Sequence, residues 1–187
     1  SIFLTGSNSY LLSDEISTKL TGRYLNFETY PLDFAEYLEM KDFFGKNIDS
    51  DMDLEFKEYI LNGGFPKTLE FDDVSTRQVY TRGIISEIFE KDVKTRRRIS
   101  NVPVYERVQS FLLNNYAAPF SLNSLLECLE KEGYKTKAIT VRGYIEDLIK
   151  AKIIYECNRF DLKSKRAIKR DQKYYLADLY SYTRKEV

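Results

Sequence analysis

Three amphipathic helical stretches followed by a strongly basic hairpin close this sequence, and that order admits few folds. From Val104 to Tyr116, the apolar residues Val104, Val108, Phe111 and Leu112 recur at helical spacing. Ser121 is placed to cap a second helix bearing Leu122, Leu125, Leu126 and Leu129, which Glu132-Gly133 ends. A third helix is predicted from about Lys137 to Lys150, with Val141, Ile145, Leu148 and Ile149 turned inward. Ile153 to Cys157 then reads as a strand, Arg159 to Asp171 as a basic excursion, and Lys173 to Ala177 as a returning strand. Helix, helix, helix and basic hairpin is the order of a winged helix, and Gly133 to Thr136 is about the length a helix-turn-helix turn requires.

Charge sharpens that expectation. The chain is neutral overall, with 29 Lys/Arg and 29 Asp/Glu in 187 residues, yet the charges are segregated. Tyr134 to Val187 carries 14 basic against 7 acidic residues, and the first 133 residues carry 15 against 22. A basic module behind an acidic front part implies an anionic partner, with double-stranded DNA the first candidate. On the third helix Lys135, Lys137 and Thr140 are placed to approach bases or phosphates, although Glu146 and Asp147 also face largely outward and would repel a polyanion. In the hairpin Lys163, Lys165, Arg166, Lys169 and Arg170, together with Arg159 and Lys173, face only Asp161 and Asp171 in sign. Such a wing suits backbone phosphates without sequence readout. The other reading is docking on an acidic protein surface, the front part of this protein included.

The front part reads differently. Ile2 to Thr5 is a short apolar run closed by Gly6, of the type found inside a parallel sheet, and it has no initiator Met before it. A buried strand without a neighbour suggests a piece of a larger protein; an N-terminal edge strand is the alternative. Ser13 can cap a short helix to Leu20, and Tyr24 to Tyr30 alternates like a second strand. Asp33 and Glu36 stand at capping-box spacing before a helix to about Lys41. A helix over Leu54 to Leu61 ends at Asn62-Gly63-Gly64, and a longer one is predicted from Asp73 to about Arg96, followed by a break at Ser100 to Pro103. The four basic residues within Lys94 to Arg98 are favoured by the helix dipole at a helix end, with nucleic-acid contact as the lesser reading.

Composition removes whole classes of chemistry. With no His, imidazole-based triads, metal ligands and proton shuttles are excluded. Two cysteines, Cys128 and Cys157, fit no metal motif, and no apolar run approaches a membrane span, so a cytoplasmic protein without a membrane partner is expected. There is no GxxxxGK[ST], and Gly63-Gly64 lacks the Lys that would reach a phosphate.

Several runs, taken in order, resemble a large prokaryotic family of predicted AAA+-like P-loop ATPases. They are Ile2-Phe3-Leu4-Thr5-Gly6-Ser7-Asn8-Ser9, Leu20-Thr21-Gly22-Arg23-Tyr24, Pro31-Leu32-Asp33-Phe34-Ala35-Glu36-Tyr37 and Gly63-Gly64-Phe65-Pro66. Glu90-Lys91-Asp92-Val93, Arg98-Ile99-Ser100-Asn101, Arg159-Phe160-Asp161-Leu162-Lys163 and Lys173-Tyr174-Tyr175-Leu176-Ala177-Asp178 continue the series. The resemblance implies a mainly α (α+β) chain: residues 1–45 as the remnant of an ATPase core with residual strands of its sheet, 46–116 as a helical segment, and 117–187 as a winged-helix domain. In that family a P-loop and an acidic strand precede this stretch and a nuclease-like domain usually follows it. ATP and Mg²⁺ would belong to the intact parent, and the 187 residues alone would hold no cofactor and hydrolyse nothing. Ser7 and Asn8 match the sensor position beside the γ-phosphate, and Arg23 is the type of group that neutralises a transferred phosphoryl, in cis or toward a neighbouring subunit. Turn chemistry and a surface ion pair are the plain alternatives. Asp92 and Asp178 read as structural, through capping or salt bridging. The rival function is a non-enzymatic winged-helix module that binds DNA or protein.

Overall fold

The computed structural model describes residues 3, 23, 25, 27–88, 99–163, 166–178 and 180. Over these the chain is mainly helical, with six α-helices and one two-stranded sheet. The predicted strand at Ile2 to Thr5, apart from an exposed Phe3, and the predicted helix from Asp14 to Leu20 lie outside the described residues. The second predicted strand is corrected: of Tyr24 to Tyr30, residues 25 and 27–30 are in no strand. This stretch makes side-chain contacts instead, the Tyr30 ring lying 5.7 Å from that of Tyr155 and Glu28 pairing with Lys152.

Helix α1, Phe34–Phe43, begins with the capping box its spacing foretold. Asp33 Oδ1 accepts from Glu36 N at 2.9 Å and Glu36 Oε2 accepts from Asp33 N at 2.9 Å, so two amides with no helical partner are satisfied reciprocally. Asp33→Ala is expected to cost about 1 kcal/mol, read as a lower urea midpoint; an unchanged midpoint would show that tertiary packing alone sets the helix start. Helix α2, Met52–Asn62, stops at Gly63, whose φ of 77° is closed to most side chains. A 3-10 turn over Pro66–Glu70 leads to α3, Val74–Glu87. Asp73 starts α3, and hydrogen bonds from Ser75 and Thr76 hold its carboxyl down to about 2.

The second half follows the predicted order. Helix α4 is Val102–Asn114, with Pro103 inside its first turn rather than in the break before it, where a missing N–H costs nothing. Helices α5, Leu122–Lys131, and α6, Ala138–Lys150, complete a three-helix unit. Its core joins Val104, Val108 and Leu112 of α4 to Leu125 and Leu129 of α5 and Val141, Ile145 and Leu148 of α6. Strands β1, Ile154–Asp161, and β2, Arg166–Leu176, form an antiparallel hairpin whose base, through Ile154 and Tyr174, closes that core. Ala117–Phe120 lies along the other edge of β2, with Ala117 N donating to Tyr174 O and Phe120 N to Gln172 O, each at 2.8 Å.

A buried carboxylate adds to the contacts between the two halves. Asp178 is 7% exposed; its Oδ2 accepts from Gly64 N at 2.6 Å and its Oδ1 from Tyr180 N at 2.8 Å. A Cβ at Gly63 would come within 2.3 Å of Asp178 Oδ1, so the carboxylate occupies space that only glycine leaves. The Tyr180 hydroxyl donates to Gln78 O on α3 at 3.1 Å, adding a second tie.

Charge is also buried among the front helices. Lys41 Nζ on α1 donates to Glu55 Oε2 at 2.6 Å and Glu58 Oε2 at 3.0 Å on α2, and Arg77 on α3 donates to Glu58 Oε1 at 2.7 Å. Burial alone would lower the Lys41 pKa, but the hydrogen bonds to both glutamates more than offset it and the ammonium is raised. Burial would raise Glu58, but Lys41 and Arg77 hold it below the usual carboxylate range. Among the described residues no helix is long and apolar enough to cross a membrane.

Candidate nucleic-acid interface

The turn between α5 and α6 is built by its glycine. After Glu132, Gly133 takes φ 87°, its N–H bonds Glu130 O at 2.9 Å, and Tyr134 N bonds Leu129 O at 2.9 Å. These two bonds satisfy carbonyls that the helix end would leave bare and turn the chain sharply. Tyr134 packs back on the core, and the residues after it lead into α6 with Lys135 and Lys137 exposed. Lys137 is the N-cap but offers no side-chain acceptor to the first-turn amides. Two cations and open amides at the positive end of a helix dipole disfavour the isolated helix and favour an anion there.

Along α6, Val141 and Leu148 are fully buried while Ile139, Arg142, Glu146 and Lys150 are exposed. Thr140 is half-buried, so it reaches solvent at the edge of that face rather than at its middle. Ile139 and Arg142 were not singled out from sequence. The signal was present, because Ile139 is apolar yet falls off the Val141, Ile145, Leu148 stripe. Glu146 is exposed on the same face and limits how closely a polyanion can lie against the C-terminal half of the helix.

The hairpin is longer and more regular than the predicted excursion. Ladder pairs run Ile154↔Leu176 to Cys157↔Lys173 and then Arg159↔Ile168 to Asp161↔Arg166, so most of the basic stretch is strand. Low β-propensity of Lys, Arg and Asp hid this, and pairing with a well-anchored neighbour overrode it. Between the two runs Asn158 alone stands opposite Lys169, Arg170, Asp171 and Gln172, an irregularity that places two of the predicted basic residues where the ladder is interrupted. Arg166 sits at the register position opposite Asp161, and Lys165 lies outside the described residues. Lys163 is exposed in the connecting turn, where its N–H bonds Asp161 Oδ1 at 3.0 Å.

The residues expected from sequence to sense nucleotide are described only in part. Ser7 and Asn8 lie outside the described residues, and Arg23 is exposed in a bend. Gly63-Gly64 does not fit a phosphate: the Gly64 amide already donates to Asp178, and that carboxylate would repel an anion. Gly63-Gly64 is therefore closed to a phosphate in this structure.

A chain with a capped helical front and a three-helix unit carrying a basic hairpin belongs to the family whose model is described as a domain of unknown function (DUF8612), which matches residues 53–179. A second model, described as an AAA domain, matches residues 1–38. An uncharacterized protein of Haemophilus influenzae is 31% identical over 180 residues, covering 95% of this chain and 44% of that protein. The uncharacterized protein MJ1544 of Methanocaldococcus jannaschii is 33% identical over 169 residues, 88% of this chain and 38% of its own length. The chain thus spans less than half the length of these curated relatives. No solved structure matches it.

Proposed function

We propose that the chain joins the end of an AAA-type ATPase core to a winged-helix module that binds duplex DNA through its phosphates. The observation that carries the module is the unit α5, glycine turn, α6 and hairpin, with Lys135 and Lys137 exposed where α6 begins and Lys163 exposed where the hairpin turns. Arg166, Lys169 and Arg170 lie on β2, and Lys165 joins them in sequence. The match of an AAA domain model to residues 1–38 supports the ATPase part. On this reading ATP and Mg²⁺ belong to the longer protein, and Ser7, Asn8 and Arg23 are the positions that would face nucleotide there.

Labelled duplex titrated at several salt concentrations tests the module. The logarithm of affinity is expected to fall linearly with the logarithm of salt, and Lys135→Ala with Lys163→Ala to flatten that slope by about 2 while weakening unrelated sequences equally. Affinity indifferent to salt would remove the proposal. A second reading, docking on an acidic protein surface, is favoured by Ile139, which is 73% exposed on α6; it requires that duplex DNA not bind at all.

A further inference from the structure

The turn from α6 into β1 holds a lysine where the backbone favours glycine. Ala151 caps the helix, and Lys152 follows at φ 58°, a left-handed conformation that glycine adopts without penalty. Lys152 N donates to Ile149 O and Ile153 N to Leu148 O, each at 3.0 Å, the bond pair of a helix end closed by a left-handed residue. Ile153 and Leu148 both enter the core, so this turn fixes the direction in which β1 leaves α6. The lysine side chain must therefore contribute something that glycine could not.

It reaches the front of the chain. Lys152 Nζ pairs with Glu28 and lies 5.9 Å from the centre of the Tyr155 ring, which itself lies 5.7 Å from the ring of Tyr30. Glu28 and Tyr30 belong to the range matched by the AAA domain model. Two residues further on, Leu32 N donates to Gly64 O at 2.7 Å, and Leu32 O accepts from the Tyr59 hydroxyl at 2.8 Å. The segment from Glu28 to Leu32 thus bridges the base of the hairpin and the front helices. Each contact at Lys152 is weak, of the same order as the left-handed penalty. Contacts of that size are enough to bias which backbone conformation the turn adopts.

We propose that Lys152 and Tyr155 form the joint through which the AAA-matched segment controls the duplex-binding unit. With Glu28 and Tyr30 seated, the turn holds α6 and the hairpin in the relative orientation that a duplex selects. With the segment withdrawn, that orientation is populated less and affinity falls in proportion. The proposal rests on the DNA-binding reading above and adds a means of control to it. In the longer protein, a displacement of the AAA domain is passed on through Glu28 and Tyr30, and duplex binding opposes that displacement by an equal factor.

The test measures the affinity of the full chain for a labelled duplex at fixed salt. Glu28→Gln is expected to weaken binding about fivefold, the low end of coupling between sites, with the salt slope unchanged. Direct electrostatics predict the opposite sign, because a negative charge has been removed from a protein that binds a polyanion. Lys152→Gly keeps the helix end closed and should also weaken binding, and the two changes together should cost no more than the larger alone. Glu28→Lys combined with Lys152→Glu should regain native affinity, which a general loss of structure would not allow. Unchanged or tighter binding by Glu28→Gln, additive losses, or a reversed pair that regains nothing overturns the joint and leaves the DNA-binding reading standing. A native chain that binds no duplex overturns both.

Discussion

Asp178→Ala is expected to destabilise the protein by at least about 3 kcal/mol, the sum of two hydrogen bonds to a charged acceptor. The substitution leaves the buried Gly64 amide, 2.6 Å from Oδ2 in the native state, with no partner, and it releases Tyr180 N as well. Gly63→Ala should be similarly severe, because its Cβ would meet Oδ1 at 2.3 Å and the residue would be held at φ 77°. Urea denaturation at neutral pH checks both, and a loss under about 1 kcal/mol for Asp178→Ala would mean that water replaces the carboxylate. The pH dependence has a definite sign. Burial raises the Asp178 pKa, and the two amides only partly oppose it. A raised carboxyl contributes stability that is complete below its unfolded value and is lost as pH rises through the folded one. Acid therefore does not unfold the protein through this residue, and Asp178→Asn should flatten stability against pH just above the ordinary carboxylate range.

Lys41→Met is expected to cost about 3–5 kcal/mol, since removing one member of a buried ion cluster leaves another uncompensated. Glu55, 3% exposed, would keep only the amide of Asp49, whereas Glu58 would keep Arg77. Changing Glu55 to Met in the same chain should recover most of the loss, as apolar replacements of whole buried pairs commonly do. The native protein should lose stability at both pH extremes. The contribution of Lys41 is complete below the ordinary ammonium value and fades as pH rises through the raised folded one; that of Glu58 fades as pH falls through its lowered folded value. Urea midpoints for Lys41→Met measured across pH should lose the alkaline decline and show a weaker acid one, because only Arg77 then holds Glu58 down. If the single variant matches the native protein, the cluster contributes no net stability.

What could be read from the sequence was local. The Asp33 and Glu36 box, the glycine stops at Gly63 and Gly133, and the stripes of α4 to α6 all follow from spacing within one or two turns. The supposed strand at Tyr24 to Tyr30 shows the limit, because alternation is satisfied equally by a segment whose side chains find partners such as Tyr155 and Lys152 without a ladder. Buried Lys41, Glu55 and Arg77 went unnoticed because charged residues suggest surface. Lys41 sits four residues after the buried Tyr37, on the same helical face, and that spacing was the available signal. Asp178 read as structural, but its partner could not be found by spacing, since a carboxylate gives no hint of which distant amide it accepts from. On the candidate surface, Lys135, Lys137 and Lys163 were legible from charge; the exposed Ile139 was not, because exposure of an apolar residue depends on the tertiary fold.

The bond between Gly64 and Asp178 spans 114 positions, and that distance orders events during synthesis. A ribosome needs on the order of ten seconds to make that length of chain. Throughout this interval α1 to α3 exist without their final anchor, and the side chains of Phe43 and Phe56, exposed even in the finished fold, are presented to whatever binds nascent apolar surface. The front helices therefore gain their bond to Asp178 only after the basic hairpin has been made.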